Sequence, residues 1–144
     1  MDGVYCQSKI LPGTEGDLGT PLDLPFQPLL TASVVFNAVG VSANVGSWVV
    51  GQTDLSDGNW VDAVWASWNG TTGSALFSLY NLTDATAGCF VQTRAAGAPP
   101  SVYGASGIPL ASRLRFVGRG QITASGPGSG LLVTIKYRLI SRLG

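Results

Sequence analysis

Hydrophobic and polar residues alternate with a period of two along much of this chain, which is the pattern of half-buried β-strands. The alternation predicts strands at residues 30–38, 45–50, 60–68, 74–82 and 88–94, with a short one near Val102. Glycine-rich segments separate them, and no window has the period of an amphipathic helix. The pattern therefore predicts an all-β fold: a single β-sandwich or jelly-roll-like barrel of about seven or eight antiparallel strands.

The strand predicted at residues 60–68 carries three tryptophans. Strict alternation places Trp60 and Trp68 on one face and Trp65 on the other. Together with Trp48 and Tyr80, these residues suggest two uses: a sugar-binding platform, or packing in the core and against other subunits. Because Trp65 is expected to point away from Trp60 and Trp68, we favour packing.

The strongest alternation lies in residues 112–142, where two strand patterns flank the segment Ser-Gly-Pro-Gly-Ser-Gly. This arrangement predicts a long β-hairpin whose turn is centred on Pro127 and Gly128. In that register Gly120 faces Ile135 and Phe116 faces Leu139 on the inward side. The charged residues of the outward side are then all basic: Arg113, Arg115, Arg119, Lys136, Arg138 and Arg142.

Two interpretations of this predicted basic face remain open. A solvated outer face would tolerate the repulsion, because exposed charges interact weakly in salt. Alternatively, the face binds acidic residues, either on a partner or on a neighbouring copy through Glu15, Asp17 or Asp23. We favour the second interpretation, because no acid lies within the predicted hairpin.

Residues 1–29 combine repeated prolines and glycines with many apolar side chains. Prolines interrupt both helices and strand ladders, yet the apolar residues are too numerous for a free tail. We therefore expect an extended arm that lies across its own domain, residues 30–144, or across a neighbour. Its apolar contacts are expected from Leu11, Leu18, Leu22, Leu24 and Phe26.

Composition adds two constraints. Charged residues make up 11% of the 144 residues, against roughly 25% in an average soluble domain, so we expect much of the surface to lie against other protein. The net charge is zero, but every acid lies at or before Asp84 and only Lys9 among the bases lies before Arg94. Such separation indicates complementary faces rather than nucleic-acid binding.

The sequence offers little catalytic chemistry. Histidine is absent, which excludes Ser-His and Cys-His nucleophilic systems. Asp54, Asp57 and Asp62 bind calcium in one interpretation and shape a turn in the other. We expect Cys6 and Cys89 to be free thiols, and we expect no cofactor. No apolar run reaches the roughly 18 residues of a membrane helix, and with no signal peptide apparent we expect synthesis in the cytoplasm.

A proline- and glycine-rich arm (Leu11-Pro12-Gly13 to Pro28), a compact low-charge β-domain and a terminal strand hairpin ending at Gly144 resemble the small bacteriophage capsid decoration, or cement, proteins. The resemblance covers the overall plan of the chain. It implies a non-enzymatic virion protein on the capsid surface that binds the major capsid protein or other copies of itself, often as a trimer. A tail or fibre component and a carbohydrate-binding β-sandwich module are the alternatives.

Overall fold

A computed structural model describes residues 2–24, 28–54, 58–81, 97–99 and 110–141, and every regular element in them is a β-strand. The all-β prediction is confirmed, and no closed barrel occurs among these residues. The strands predicted at residues 88–94 and near Val102 lie outside the described part, as do Phe26, Asp57, Cys89 and Arg142. The strands are β1 (Asp2–Ile10), β2 (Gly16–Asp17), β3 (Leu22–Asp23), β4 (Pro28–Val39), β5 (Val41–Asn44), β6 (Ser47–Asp54), β7 (Trp60–Trp68), β8 (Ser74–Asn81), β9 (Arg113–Arg119), β10 (Ile122–Ala124) and β11 (Gly130–Ser141).

The strands form two main sheets in which every pairing is antiparallel. Sheet A has the order β1-β11-β4-β8. Sheet B has the order β2-β9-β6-β7, and β3 pairs with β9 beside β2. Strands β5 and β10 form a small separate pair.

One hydrophobic core receives side chains from both main sheets. Val34 and Ile135 from sheet A and Val49 and Phe116 from sheet B are fully buried in it. From Pro28 to Phe36 of β4 every second residue is buried, as the alternation predicts. Burying each such side chain stabilises the fold by about 1.5–3 kcal/mol before conformational entropy is subtracted. Each sheet therefore has a core face and, opposite to it, an outer face.

The predicted C-terminal hairpin is wrong. Strand β11 pairs with β4 and β1 in sheet A, whereas β9 pairs with β6, β2 and β3 in sheet B. Ile135 lies beside Val34 rather than Gly120, and Phe116 lies beside Gly51 rather than Leu139. The glycine turn at residues 126–129 is present, but it leads into β11 from β10, which pairs with β5. Alternation identified each strand and its core side, but it carries no information about the partner strand.

The N-terminal segment is built into both sheets. Strand β1 pairs with β11, while β2 and β3 pair with β9. Leu11, Leu18 and Leu24 are each less than 10% exposed and belong to the shared core, and Leu22 is half-buried. The segment thus lies against its own domain, and the predicted boundary at residue 29 falls inside β4. Contact with a neighbouring subunit stays a prediction.

Glycine at position 118 allows this segment to approach β9 closely. A Cβ atom placed there would lie 2.9 Å from Leu11 Cδ2 and 2.9 Å from the Trp48 carbonyl oxygen. Gly120 similarly faces the Leu11 backbone and not Ile135. Gly118 and Gly120 therefore make room for Leu11 of the N-terminal segment and not for side chains of β11.

Candidate functional site

A β-bulge in β7 decides which tryptophans share a face. Gly51 pairs with Val64 but Gln52 pairs with Asp62, so Ala63 is an extra residue. A bulge reverses the alternation beyond it. Trp68 contributes to the main core, whereas Trp65 packs on a separate cluster with Val50 on the outer side of sheet B. Trp60 lies on that outer side as well, against arginines of β9, so the prediction that Trp60 and Trp68 share a face is wrong.

Three arginines of β9 line the outer face of sheet B, and the first is fixed by a buried carboxylate. Arg113 donates from Nε to Asp54 Oδ2 at 3.1 Å, and its guanidinium lies 4.8 Å from the centre of the Trp60 ring. Asp54 is only 1% exposed and also accepts the Gly58 backbone N–H. A guanidinium held between a carboxylate and an aromatic ring has its charge compensated on two sides.

Arg115 is held by an amide instead. Its Nε donates to Gln52 Oε1 at 2.9 Å, and Gln52 Nε2 donates in turn to Asp62 Oδ1 at 2.9 Å. The guanidinium lies 4.2 Å from the centre of the Trp60 ring, so two arginines contact one indole. Asp17 of β2 adds an ion pair at 3.7 Å.

Arg119 completes the row over a second tryptophan. Its guanidinium lies 5.7 Å from the centre of the Trp48 ring and donates to the carbonyl oxygens of Gly13 and Gly97. Trp48 Nε1 donates to Glu15 Oε1 at 3.4 Å. The indole is 1% exposed. We call this surface the Arg–Trp face; its defining residues are Arg113, Arg115, Arg119, Trp48 and Trp60.

The predicted single basic face therefore does not exist. Arg113, Arg115 and Arg119 lie on sheet B, whereas Lys136 and Arg138 lie on sheet A. The acids of the N-terminal half meet several of these bases within the same chain: Asp54 contacts Arg113, Asp17 contacts Arg115 and Asp2 contacts Arg138. The fold thus brings acids of the N-terminal half into contact with bases of the C-terminal half, although they are far apart in the sequence.

Asp54 and Asp62, two of the three aspartates considered for calcium, are committed to Arg113 and Gln52. Within the described ranges, no group of three or more Cys, Asp and Glu side chains is placed to hold a metal ion. Turn chemistry accounts for the part of this loop that the structure shows, since Asp54 accepts the Gly58 N–H. Burial raises the pKa of the Cys6 thiol, and Cys6 is not in a disulfide.

The outer face of sheet A is different in kind. It exposes large apolar side chains from three strands: Val4 on β1 is 53% exposed, Leu76 on β8 is 67% exposed and Ile140 on β11 is 43% exposed. Lys136 is exposed, and no acid of the described residues forms an ion pair with it. We call this surface the open face; its defining residues are Val4, Leu76, Lys136, Arg138 and Ile140.

One ion pair borders the open face. Arg138 donates to both carboxylate oxygens of Asp2, at 2.8 and 3.0 Å. This hydrogen bonding lowers the pKa of Asp2 and raises the pKa of Arg138. Both side chains remain more than half exposed, so the pair stays accessible to a partner.

A groove of about 630 Å³ crosses the open face. Its lining includes Val4 of β1, Lys136 of β11, Ser33 of β4 and Ser78 of β8, which are successive partners across the sheet. The groove thus runs perpendicular to the strands and reaches all four of them. Thr31 and Ser33 of the inner strand β4 lie towards its middle, and Ser78 lies at its β8 end. Asp2 and Arg138 also line it.

The comparisons with known proteins give no relative for this chain. No protein-family model, no curated protein and no solved structure matches it. In the described residues, no helix is long and apolar enough to cross a membrane.

Proposed function

We propose that this protein is a non-enzymatic virion structural protein, a capsid decoration or cement protein whose β-sandwich of jelly-roll type docks on a phage head through the open face. The shared core between sheets A and B supports the sandwich. The proposed partners are the major capsid protein and other copies of this chain, assembled as a trimer on the capsid surface. The resemblance in overall plan supports that choice of partner.

The observation that carries the proposal is the contrast between the two outer faces. On the Arg–Trp face the cations are compensated by carboxylates, carbonyls and rings of the same chain. On the open face, Val4 is 53% exposed beside the exposed Lys136, and Leu76, on the far side of β4, is 67% exposed. Exposed apolar side chains on a sheet face with few charges support the choice of this face as a protein–protein interface.

The N-terminal segment takes part in this docking surface through β1. That strand forms one edge of sheet A and supplies Val4 and Asp2 to the open face. The contacts proposed for an arm are therefore made by an edge strand anchored through Leu11, whose side chain is buried in the domain.

Co-sedimentation with empty phage capsids tests the proposal. Leu76→Asp places a charge on the open face, whereas Val45→Asp makes the same kind of change at a residue that is 80% exposed in the turn after β5. We expect the Leu76 variant to lose capsid binding and the Val45 variant to retain it. Equal binding by both variants would contradict docking through this face, and binding to tails but not to heads would favour the tail or fibre alternative.

A carbohydrate-binding module is the second candidate, and one observation favours it. The β7 bulge places Trp60 and Trp65 on the same side of sheet B as Gln52 and Asp62, and sugar sites combine aromatic rings with planar polar groups. Arg113 and Arg115 contact the Trp60 ring, which leaves less of it for a sugar. A glycan array with wild type and Trp60→Ala separates the candidates.

A further inference from the structure

We infer that the groove across the open face is a binding site for an extended acidic polypeptide segment of a partner protein. This inference rests on the proposed function, because it names the chemistry of the segment that the docking surface recognises. It depends on three properties of the groove: its dimensions, the groups that line it and its uncompensated charge.

The dimensions fit an extended chain. Strands β1, β11, β4 and β8 at about 4.8 Å spacing span roughly 15 Å, the length of four to five extended residues. A groove of about 630 Å³ lies within the range of roughly 300–1,000 Å³ that is common for ligand sites. Small residues at Ser33 and Ser78 on its lining leave space for a backbone to pass over the sheet.

The lining groups fit a peptide that combines carboxylates with apolar side chains. The hydroxyls of Thr31, Ser33 and Ser78 both donate and accept hydrogen bonds, so they suit a peptide backbone. Val4 lines the β1 end of the groove. Leu76 lies outside the lining, on β8 one outward-facing position from Ser78, so a second exposed apolar side chain lies beside the other end.

The charge selects an acidic segment. Lys136 lies in the groove without an ion-pair partner among the described residues, while Arg138 shares its charge with Asp2. A carboxylate beside Lys136 gains a charge-assisted hydrogen bond. A single uncompensated cation is too little for a nucleic-acid backbone, whose binding requires several phosphates to be neutralised. A second sheet A is a poorer match, because its own groove lining carries two cations, Lys136 and Arg138, and one acid, Asp2.

Solution NMR with the full-length protein tests the site directly. The probe is a blocked Val-Glu-Ser-Glu-Val peptide, and its matched control replaces both glutamates with glutamines. We expect the acidic peptide to shift the backbone amide signals of Ser33, Ser78 and Lys136 while leaving those of the Arg–Trp face unchanged. Binding should weaken between about 50 and 300 mM salt, because the attraction is Coulombic. No shift at millimolar peptide, or equal shifts with the glutamine peptide, would overturn the inference.

Three charge variants give results of different sign. Lys136→Glu should weaken peptide binding about five- to tenfold, since one attraction becomes a repulsion. Asp2→Asn should strengthen binding about two- to threefold, because it frees Arg138. Lys9→Glu makes the same charge change at an exposed residue of β1 that does not line the groove, and it should change binding less than twofold. If Lys136→Glu and Lys9→Glu weakened peptide binding equally, the attraction would depend on the overall charge of the protein, and this would contradict a specific site in the groove.

The failure of the groove and the failure of the proposed function are distinguishable. If wild type and Lys136→Glu sediment equally with capsids and the peptide does not bind, the groove inference fails while decoration stands. If the peptide binds as expected but capsids are not bound, decoration fails while the groove stands. The wild-type protein could instead form oligomers in native mass spectrometry that Lys136→Glu abolishes, without binding the peptide. That result would identify a second copy as the occupant and overturn the inference. Stronger shifts with a short oligonucleotide than with the peptide would also overturn it.

Discussion

The two outer faces of this protein both carry basic residues, but they differ in how the positive charges are compensated. The arginines of the Arg–Trp face are held by groups of the same chain, whereas Lys136 on the open face is exposed and forms no ion pair with the described residues. On the Arg–Trp face, β6 places Trp48, Gln52 and Asp54 beside the arginines of β9. On the open face, β4 places Ser33 and Thr31 beside Lys136 and Arg138. Strand β4 provides no countercharge, so Lys136 remains available, whereas Arg138 pairs with Asp2 of β1, the other neighbour of β11. The role of a basic side chain in a sheet is thus set by the adjacent strand and not by its own.

The largest expected effect separates the two faces by stability. Trp48→Ala should destabilise the protein by about 3–5 kcal/mol, because it removes a buried indole from beneath Arg119 and leaves a cavity. Leu76→Ala on the open face should change stability by less than about 0.5 kcal/mol, because its side chain is already exposed. Urea unfolding of both variants measures the difference. Similar losses would show that the open face is as tightly packed as the other.

Removing the buried carboxylate of the Arg–Trp face should have the next largest effect. Asp54→Asn should cost about 1–3 kcal/mol, because it weakens the acceptor for Arg113 and for the Gly58 N–H in a buried position. Asp23→Asn is the matched control, since Asp23 is exposed and lies beside Arg113 in the β3–β9 pairing. The unfolding free energies of the two variants should differ clearly. An unchanged stability for Asp54→Asn would show that this ion pair is not what holds the Arg–Trp face together.

A smaller effect is expected from changing the shape of a cation while keeping its charge. Arg115→Lys should cost about 1 kcal/mol, because an ammonium group loses the planar contact with Trp60 and the directed bond to Gln52. Lys136→Arg on the open face should leave the unfolding midpoint unchanged, since no described partner depends on the shape of Lys136. Equal responses would mean that the arginine geometry on β9 is not used.

The smallest effect concerns the exposed pair at the border of the open face. The folded pKa of Asp2 is lowered chiefly by its hydrogen bonds from Arg138, so the pair stabilises the fold above the ordinary aspartate pKa. That contribution is lost as pH falls through the lowered value. In Arg138→Gln, an NMR titration should show the Asp2 pKa returning upwards, with only a small fall of the unfolding midpoint at neutral pH because both side chains are exposed. An unchanged Asp2 pKa in this variant would show that the pair does not persist in solution.

Local pattern predicted the longer strands after residue 29 well, missed β1, β2, β3 and β5, and predicted the partner strands poorly. The predicted strand at residues 60–68 coincides with β7, and the apolar excess of the N-terminal segment correctly indicated that Leu11, Leu18 and Leu24 need burial. The partner of β11 was missed because two alternating strands joined by a glycine turn satisfy the hairpin pattern whether or not they pair. The bulge at Ala63 was missed because one extra residue leaves no mark in composition, yet it moves Trp60 to the outer face.

The candidate site was less predictable than the fold. Lys136 and Arg138 were recognised as exposed cations, but the groove depends on Ser33 and Ser78, which have no distinctive signal in the sequence. Their significance comes from register: they lie in line with Lys136 across sheet A. Register is fixed by core packing over the whole sheet, so it is not contained in any single stretch of the chain.

The pairing of the first strand with the last has a consequence for how this protein is made. Asp2 and Arg138 are 136 positions apart, and residues 16–23 complete sheet B only against β9. During synthesis, the N-terminal strands emerge before any strand that pairs with them, so neither sheet is complete until β9 and β11 have been translated. Folds dominated by such distant pairings fold slowly, in milliseconds to seconds. The nascent chain therefore carries unpaired strands and the apolar Leu11 and Leu18 until β9 and β11 have emerged, so its yield depends on protection from aggregation up to that point.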